Sequence, residues 1–367
     1  MVVKNNYDEC LTNLACSIKK YFELDYRHKT LSYIDYILEE IKPKNVVVIL
    51  FDGMGSRILD RILEKDSFFI KNRYKEITTV FPATTTAATT SIITGLNPVE
   101  HGFLGWNTYI KPIDKVITLF RNCEKGKEEV CDEFLKIKDK LYNKSIVEEI
   151  NEKGKYSAIE FAPFSKNKYE NLDELLSMIE KECKKESKKY IYAYDNEPDH
   201  TMHLYGPDSI EAKELIIERN KKVEELCNKL EDTVVIVIAD HGHIKVENIY
   251  LNNYPEILDM LDRTTSLEQR AISFKVKAGL NELFEDKFNK LFGKYFKLYN
   301  KEDIIKSNLF GDGEKHEFFI DAIGDFIAIA EESNKCLVNT GEDILCSQHA
   351  GYTDDEVYVP LILIKKK

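Results

Sequence analysis

The chain has no long apolar run. Among its 367 residues, the continuous stretch from Asn45 to Phe51 is far too short to span a bilayer. The first residues include Lys4, Asp8, Glu9, Lys19 and Lys20 and hold no apolar segment of the kind that opens a secreted protein. No CxxC pair occurs. The eight cysteines (Cys10, Cys16, Cys123, Cys131, Cys183, Cys227, Cys336 and Cys346) are irregularly spaced and read as ordinary thiols of a reducing compartment. Positive charge is in deficit: 52 Lys and Arg against 64 Asp and Glu give a formal net charge of −12. A nucleic acid polymer rewards a basic surface and is a poor partner for such a chain. There is no internal repeat and no low-complexity tract. These absences lead us to expect a cytoplasmic protein with neither membrane nor nucleic acid polymer as partner; its oligomeric state is not encoded in any feature we can read. An acidic chain can still act on a small phosphate ester if bound cations reverse the sign locally.

What is present is a globular composition, 43% hydrophobic and 32% charged, in a chain longer than one ordinary core. Residues 46–51 (VVVILF) and 233–239 (TVVIVIA) are continuous apolar runs of the kind buried on both faces of a sheet. Residues 188–195 form a third strand and 358–364 a late one, which Pro360 assigns to an edge. Helical periodicity over 29–41, 56–65 and 208–230 separates them. Strands alternating with helices predict an α/β fold, a doubly wound and mostly parallel sheet flanked by helices. Residues 250–340 are rich in Lys, Glu and Phe and read as a smaller inserted α+β cap, leaving 1–249 and 341–367 as the core. Residues 108–150 are a second, smaller excursion.

In open parallel sheets, ligands bind beyond the carboxyl ends of strands. Asp52 and Asp240 stand there, with His241 directly after Asp240 and Asp199 a short loop past its strand. His203 follows Asp199 by four residues, so on a helical turn the two share a face. His349 lies in QHAGY before the late strand. Asp and His are oxygen and nitrogen donors suited to zinc, manganese or iron. Two divalent ions would balance three carboxylates and one alkoxide. The segment FPATTTAATTSIITG opens a helix after Pro82, and a hydroxyl at a helix start sits where dipole and free N–H groups favour anions. A threonine alcohol is a weak nucleophile, and metal coordination is one way to activate it.

The blocks VVVILFDGMG, TGLNPVEHG, PDHTMHLYGP, ADHG and QHAGY, in this order over residues 46–352, resemble the alkaline phosphatase superfamily and, within it, the type I phosphodiesterase/nucleotide pyrophosphatase branch. The resemblance implies two divalent metal ions, zinc first and manganese as the alternative. It assigns Asp52, Asp240 and His241 to one metal, which also takes the nucleophile's oxygen, and Asp199, His203 and His349 to the other. Counting ten residues back from Gly95 gives Thr85 as nucleophile, with Thr84 and Thr86 as neighbours. Asn107 lies one residue from the place of the branch's phosphate-binding Asn. The Phe-Pro that follows the nucleophile in that branch here precedes it, as Phe81-Pro82.

The implied activity is cleavage of phosphodiester or pyrophosphate bonds in small, nucleotide-like substrates through a phospho-threonine. Arg57, Arg61 and Arg121 have no evident position for clamping a monoester dianion, which favours the diester. A phosphomonoesterase, phosphonate hydrolase or phosphomutase of the same superfamily, or a metal-dependent nucleotide-binding module, are the alternatives. No CxPxR-like stretch exists, which argues against a sulfatase. His243 reads as a plain loop histidine and His101 as a loop-ordering one.

Overall fold

The computed structural model describes residues 5–340 and 342–366. Residues 1–4, Gly341 and Lys367, which the predicted core range includes, lie outside the described residues. A six-stranded sheet runs in the order Arg73–Thr78, Tyr358–Lys366, Thr233–Ile238, Asn45–Phe51, Lys189–Asp195, Ser157–Phe161. The last four are parallel and Tyr358–Lys366 is antiparallel to both its neighbours. Asn45–Phe51, Lys189–Asp195 and Thr233–Ile238 are buried at every position, which is why they read as unbroken apolar runs. Helices such as Leu11–Tyr21, Leu172–Cys183 and Ile210–Cys227 cover the sheet and share its core. Mixed α/β layering of this kind is the expected fold class.

Pro360 does not lie on an edge strand. Tyr358–Lys366 is flanked on both sides, but in two different halves. From Tyr358 to Ile362, with a register shift after Leu361, it pairs with Arg73–Thr78, and its pairing with Thr233–Ile238 begins only at Ile362. Pro360 therefore has a ladder neighbour on one side only, and its missing N–H breaks no bond on the other.

A second sheet of seven strands runs Lys297–Asn300, Phe326–Ile329, Ala271–Phe274, Ser266–Leu267, Asn107–Ile110, Lys115–Thr118, Cys123–Glu124. It joins strands from both excursions, closed by the pairing of Leu267 with Asn107. Phe274, Phe284, Phe288, Phe292 and Phe326 fill one side of it. All eight cysteines are unpaired. Among the described residues, no helix is long and apolar enough to cross a membrane.

Candidate active site

Asp52, Asp199 and Asp240 all leave the carboxyl ends of central strands of the first sheet. Two glycines bring these ends together. Gly53 has φ +72°, and a Cβ there would stand 2.9 Å from Met202 Cε and 3.0 Å from Asp199 Cβ. A Cβ on Gly242 would lie 1.9 Å from the Asp355 carbonyl oxygen. Side chains at these two positions would push the strand ends apart.

Thr85 is the first residue of the helix Thr85–Thr94, with Thr84 as its extended N-cap and Gly95 (φ +74°) closing it. The threonines are tolerated inside this helix because Thr89, Thr90 and Thr94 donate their hydroxyls to the carbonyls of Thr85, Thr86 and Thr90. Thr85 Oγ1 instead faces outward from the helix start. It lies 3.4 Å from both Asp52 carboxylate oxygens and 3.2 Å from His241 Nε2. His241 Nε2 is also 3.3 Å from Asp52 Oδ1 and 3.4 Å from Asp240 Oδ2. Asp199 opens the helix Asp199–Tyr205, and His203 one turn on brings Nε2 to 3.4 Å from its Oδ2. His349 stacks on His241 with ring centroids 3.8 Å apart. The structure thus gathers Asp52, Thr85, Asp199, His203, Asp240, His241 and His349 in one place.

His243 joins them, against the reading of it as a plain loop histidine. Its Nε2 lies 2.5 Å from Asp199 Oδ1. A lone loop histidine carries no periodic signal; only its place two residues past Asp240-His241 could have marked it. His101 does order its loop: its Nδ1 accepts from Phe103 N and its Nε2 meets Ser91 Oγ on the Thr85–Thr94 helix. Asp195, the acid that ends its strand, is elsewhere, in a buried ion pair with Arg219 at 2.6 Å. Arg57 pairs with Glu76, and Arg61 with Asp208 and Asp355, so neither is free to clamp a phosphate. Arg121 lies over the Trp106 ring. Tyr352 is core, packed edge-on against Phe81, while Tyr205 is exposed.

The hydrogen bonds fix which histidine nitrogens are free. A carbonyl only accepts, so His203, His241 and His349 donate Nδ1–H to Ser347 O, Gly242 O and Ala83 O. Ser347 Oγ spends its hydrogen on Met202 O, so His243 Nδ1–H donates to Ser347 Oγ. With Nδ1 committed in this way, Nε2 is the nitrogen each ring has left for a metal, an arrangement typical of metal-binding histidines. Asp240 Oδ1 accepts from Gly53 N and His241 N, but its buried Oδ2 has no hydrogen-bond partner.

Two groupings have ligand atoms within 4.8 Å of one another: Asp199, His203, His243 and His349, and Asp52, Asp199 and His241. Burial, then Asp240 and Asp199, hold the Asp52 carboxyl well above the usual range. Burial pushes Asp199 the same way, but His203 and His243 outweigh it and hold that carboxyl low. Burial lowers His243 to about 4 and drives His349 far below the ordinary imidazole value. Facing acceptors, an orphaned buried carboxylate oxygen and an all-oxygen-and-nitrogen donor set fit divalent cations.

Asn107 begins a strand of the second sheet and accepts from Thr118 Oγ1 at 2.7 Å through its carbonyl oxygen, which leaves its NH2 uncommitted by that bond. The preceding Trp106 N–H donates to Glu268 Oε1 at 2.6 Å.

The chain resembles several solved structures. The murine ectonucleotide pyrophosphatase/phosphodiesterase 5 superposes with a TM-score of 0.63 at 20% identity, covering 86% of this chain and 87% of that one. An inactive threonine-to-alanine variant of the same murine protein, in complex with AMP, matches equally well. The human ectonucleotide pyrophosphatase/phosphodiesterase 5 gives a TM-score of 0.62 at 20% identity over the same shares. No curated protein sequence matches the chain. The sequence profile of type I phosphodiesterases/nucleotide pyrophosphatases matches residues 46–353, a span that holds every group of the cluster. The chain belongs to the type I phosphodiesterase/nucleotide pyrophosphatase family, and is a hydrolase of the alkaline phosphatase superfamily.

Proposed function

We propose that the protein hydrolyses a diester or pyrophosphate bond of a small, nucleotide-like substrate, with Thr85 as nucleophile. The observation that carries this is the Thr85 hydroxyl at a helix start, 3.4 Å from Asp52 and 3.2 Å from His241, beside a second Asp/His group. The inactive threonine-to-alanine variant of the murine relative, which holds AMP, supports both the residue type and the substrate class. Asp52, Asp240 and His241 with Thr85 would hold one divalent cation, zinc in first place and manganese second. Asp199, His203 and His349 would hold another, with His243 against Asp199. Such cations supply Lewis acidity that favours the alkoxide and offsets phosphate charge.

Thr85 Oγ attacks phosphorus in line. The bond from phosphorus to the leaving oxygen breaks, and the leaving group takes the electron pair. Asp52 is the carboxylate beside the hydroxyl and the acceptor for its proton. Water then attacks the phospho-threonine, releases a phosphate monoester and restores the alcohol. The unpaired N–H groups of the first helical turn and the Asn107 amide receive charge on the outer phosphate oxygens.

Purified protein loaded with zinc, offered bis-p-nitrophenyl phosphate and a nucleotide p-nitrophenyl ester, tests the reading. Turnover of both is expected; zinc binding without turnover of either ester sinks it. Two further outcomes follow. Free zinc at a hundredfold its Kd raises folding stability by about 2.7 kcal/mol, read in a urea melt, and Asp240→Asn removes most of that gain. Asn107→Ala lowers kcat/KM for the diester by about 10–100-fold, with a smaller loss for Thr118→Val, which leaves the amide free to turn. An Asn107→Ala enzyme as active as wild type removes Asn107 from the scheme.

A further inference from the structure

His243 is the member of the cluster to which the scheme above gives no task. It is fully buried and leads directly into a two-stranded ribbon, in which Ile244–Lys245 pairs antiparallel with Ser347–Gln348. Ile244 stands opposite Gln348, so the next opposed pair is His243 and His349. Their ring centroids are 5.2 Å apart, and the His203 ring lies 4.5 Å from that of His243. The ribbon thus delivers two imidazoles side by side, against a third on the helix Asp199–Tyr205.

One serine orients two of the three. The Ser347 carbonyl accepts the His203 Nδ1–H at 2.8 Å, and its hydroxyl oxygen accepts the His243 Nδ1–H, also at 2.8 Å. The hydroxyl hydrogen itself goes to Met202 O at 2.6 Å. Holding the outer nitrogen of an imidazole from behind is how proteins aim the inner one at a metal. The inner nitrogen of His243, Nε2, lies 2.5 Å from Asp199 Oδ1, and that of His203 lies 3.4 Å from Asp199 Oδ2. Among the described residues no Lys or Arg forms a salt bridge with Asp199. An imidazole nitrogen and a carboxylate oxygen come this close only across a shared positive charge, a proton or a metal ion. A proton would account for His243 and Asp199 as a pair. It gives no reason for His203 and His349 to bring their ligand atoms within 4.8 Å of the same two groups.

The two halves of the centre differ in kind. Around Asp199 stand three imidazoles and one carboxylate. Around Thr85 stand Asp52, Asp240 and a single imidazole, His241. Imidazole suits zinc, which takes four donors in a closed site, whereas oxygen donors suit manganese. We propose, on the metal-centre reading above, that His243 is a fourth protein ligand of the Asp199 half, completing a closed, nitrogen-rich zinc site that keeps its ion while the Asp52 half exchanges its own.

Cobalt(II) reports such a ligand set directly. Wild type given one equivalent of cobalt and dialysed against citrate is expected to retain it. Its proton NMR spectrum is expected to show three hyperfine-shifted imidazole N–H resonances, one each from His203, His243 and His349. His243→Gln, which keeps an amide for Ser347 Oγ, is expected to show two and to bind zinc about 10–100-fold more weakly. If His243 merely donates a hydrogen bond to Asp199, wild type shows two; that count overturns the proposal, as does a variant that keeps all three or a wild type that loses its cobalt to citrate. If the variant does not fold, the wild-type count decides. Retained metal without turnover of either ester sinks the phosphodiesterase reading alone, and the resonances still judge His243.

Discussion

Replacing Thr85 with alanine is expected to lower kcat for diester hydrolysis by about 10³-fold or more, because it removes the alcohol set against Asp52 and His241 at the helix start. Thr84 and Thr86 are the natural rivals, and both hydroxyls are buried without a hydrogen-bond partner. Geometry separates them from Thr85: of the three threonines, Thr85 sets its Oγ1 against Asp52 and His241. Thr86→Ala should therefore retain turnover within about tenfold of wild type, and Thr85→Ser, which keeps an alcohol, should retain a measurable fraction. Zinc binding should survive in Thr85→Ala, because five Asp and His groups and a stacked imidazole pair remain. Mass spectrometry of acid-quenched enzyme gives the direct reading. Phosphate on Thr85 is the expected product, and phosphate on Thr84 or Thr86 would assign the nucleophile elsewhere.

The second large effect concerns stability. Arg270 and Glu356 form a fully buried ion pair, with Nε to Oε1 at 2.6 Å and Nη2 to Oε2 at 2.9 Å. Arg270 also donates to the carbonyls of Lys335 and Ser333, and Glu356 accepts from Gly351 N and from Thr353 N and Oγ1. The pair ties the edge of the Ala271–Phe274 strand to the loop just after His349. Glu356→Gln leaves a buried guanidinium without its counter-charge and is expected to cost about 3–5 kcal/mol in urea unfolding. Replacing both partners, as Arg270→Met with Glu356→Leu, should recover most of that loss, since neither charge is then stranded. A single variant that unfolds within about 1 kcal/mol of wild type would mean that water reaches the pair.

Much of this was readable from the residues, for definite reasons. Asn45–Phe51 and Thr233–Ile238 are shielded on both faces, so their burial is written as unbroken runs of Val and Ile. Asp52 and Asp240, just past two such strand ends, mark the place of the cluster, whereas Asp195 at a third strand end pairs with Arg219 instead. Arg73–Thr78 and Ser157–Phe161 are outermost and only partly buried, so their sequences (RYKEIT, SAIEF) carry no strong pattern. Glu268 lies in a Lys- and Glu-rich stretch where charge ordinarily means a solvated face; the pairing of Leu267 with Asn107, 160 positions away in the chain, turns it inward. His243 needed the position of Asp199 to acquire a meaning. Composition and spacing report what each residue's own segment does, and are silent on what a distant segment brings against it.

The Tyr358–Lys366 strand follows every other described strand in the chain, yet it lies inside the sheet, between Arg73–Thr78 and Thr233–Ile238. During synthesis Arg73–Thr78 must wait for nearly three hundred residues before its ladder neighbour emerges from the ribosome. A waiting strand is an open template for wrong pairing. Arg73, Lys75 and Glu76 give it charges that make premature partners unwelcome, so the same side chains that hid it from sequence reading guard the nascent chain.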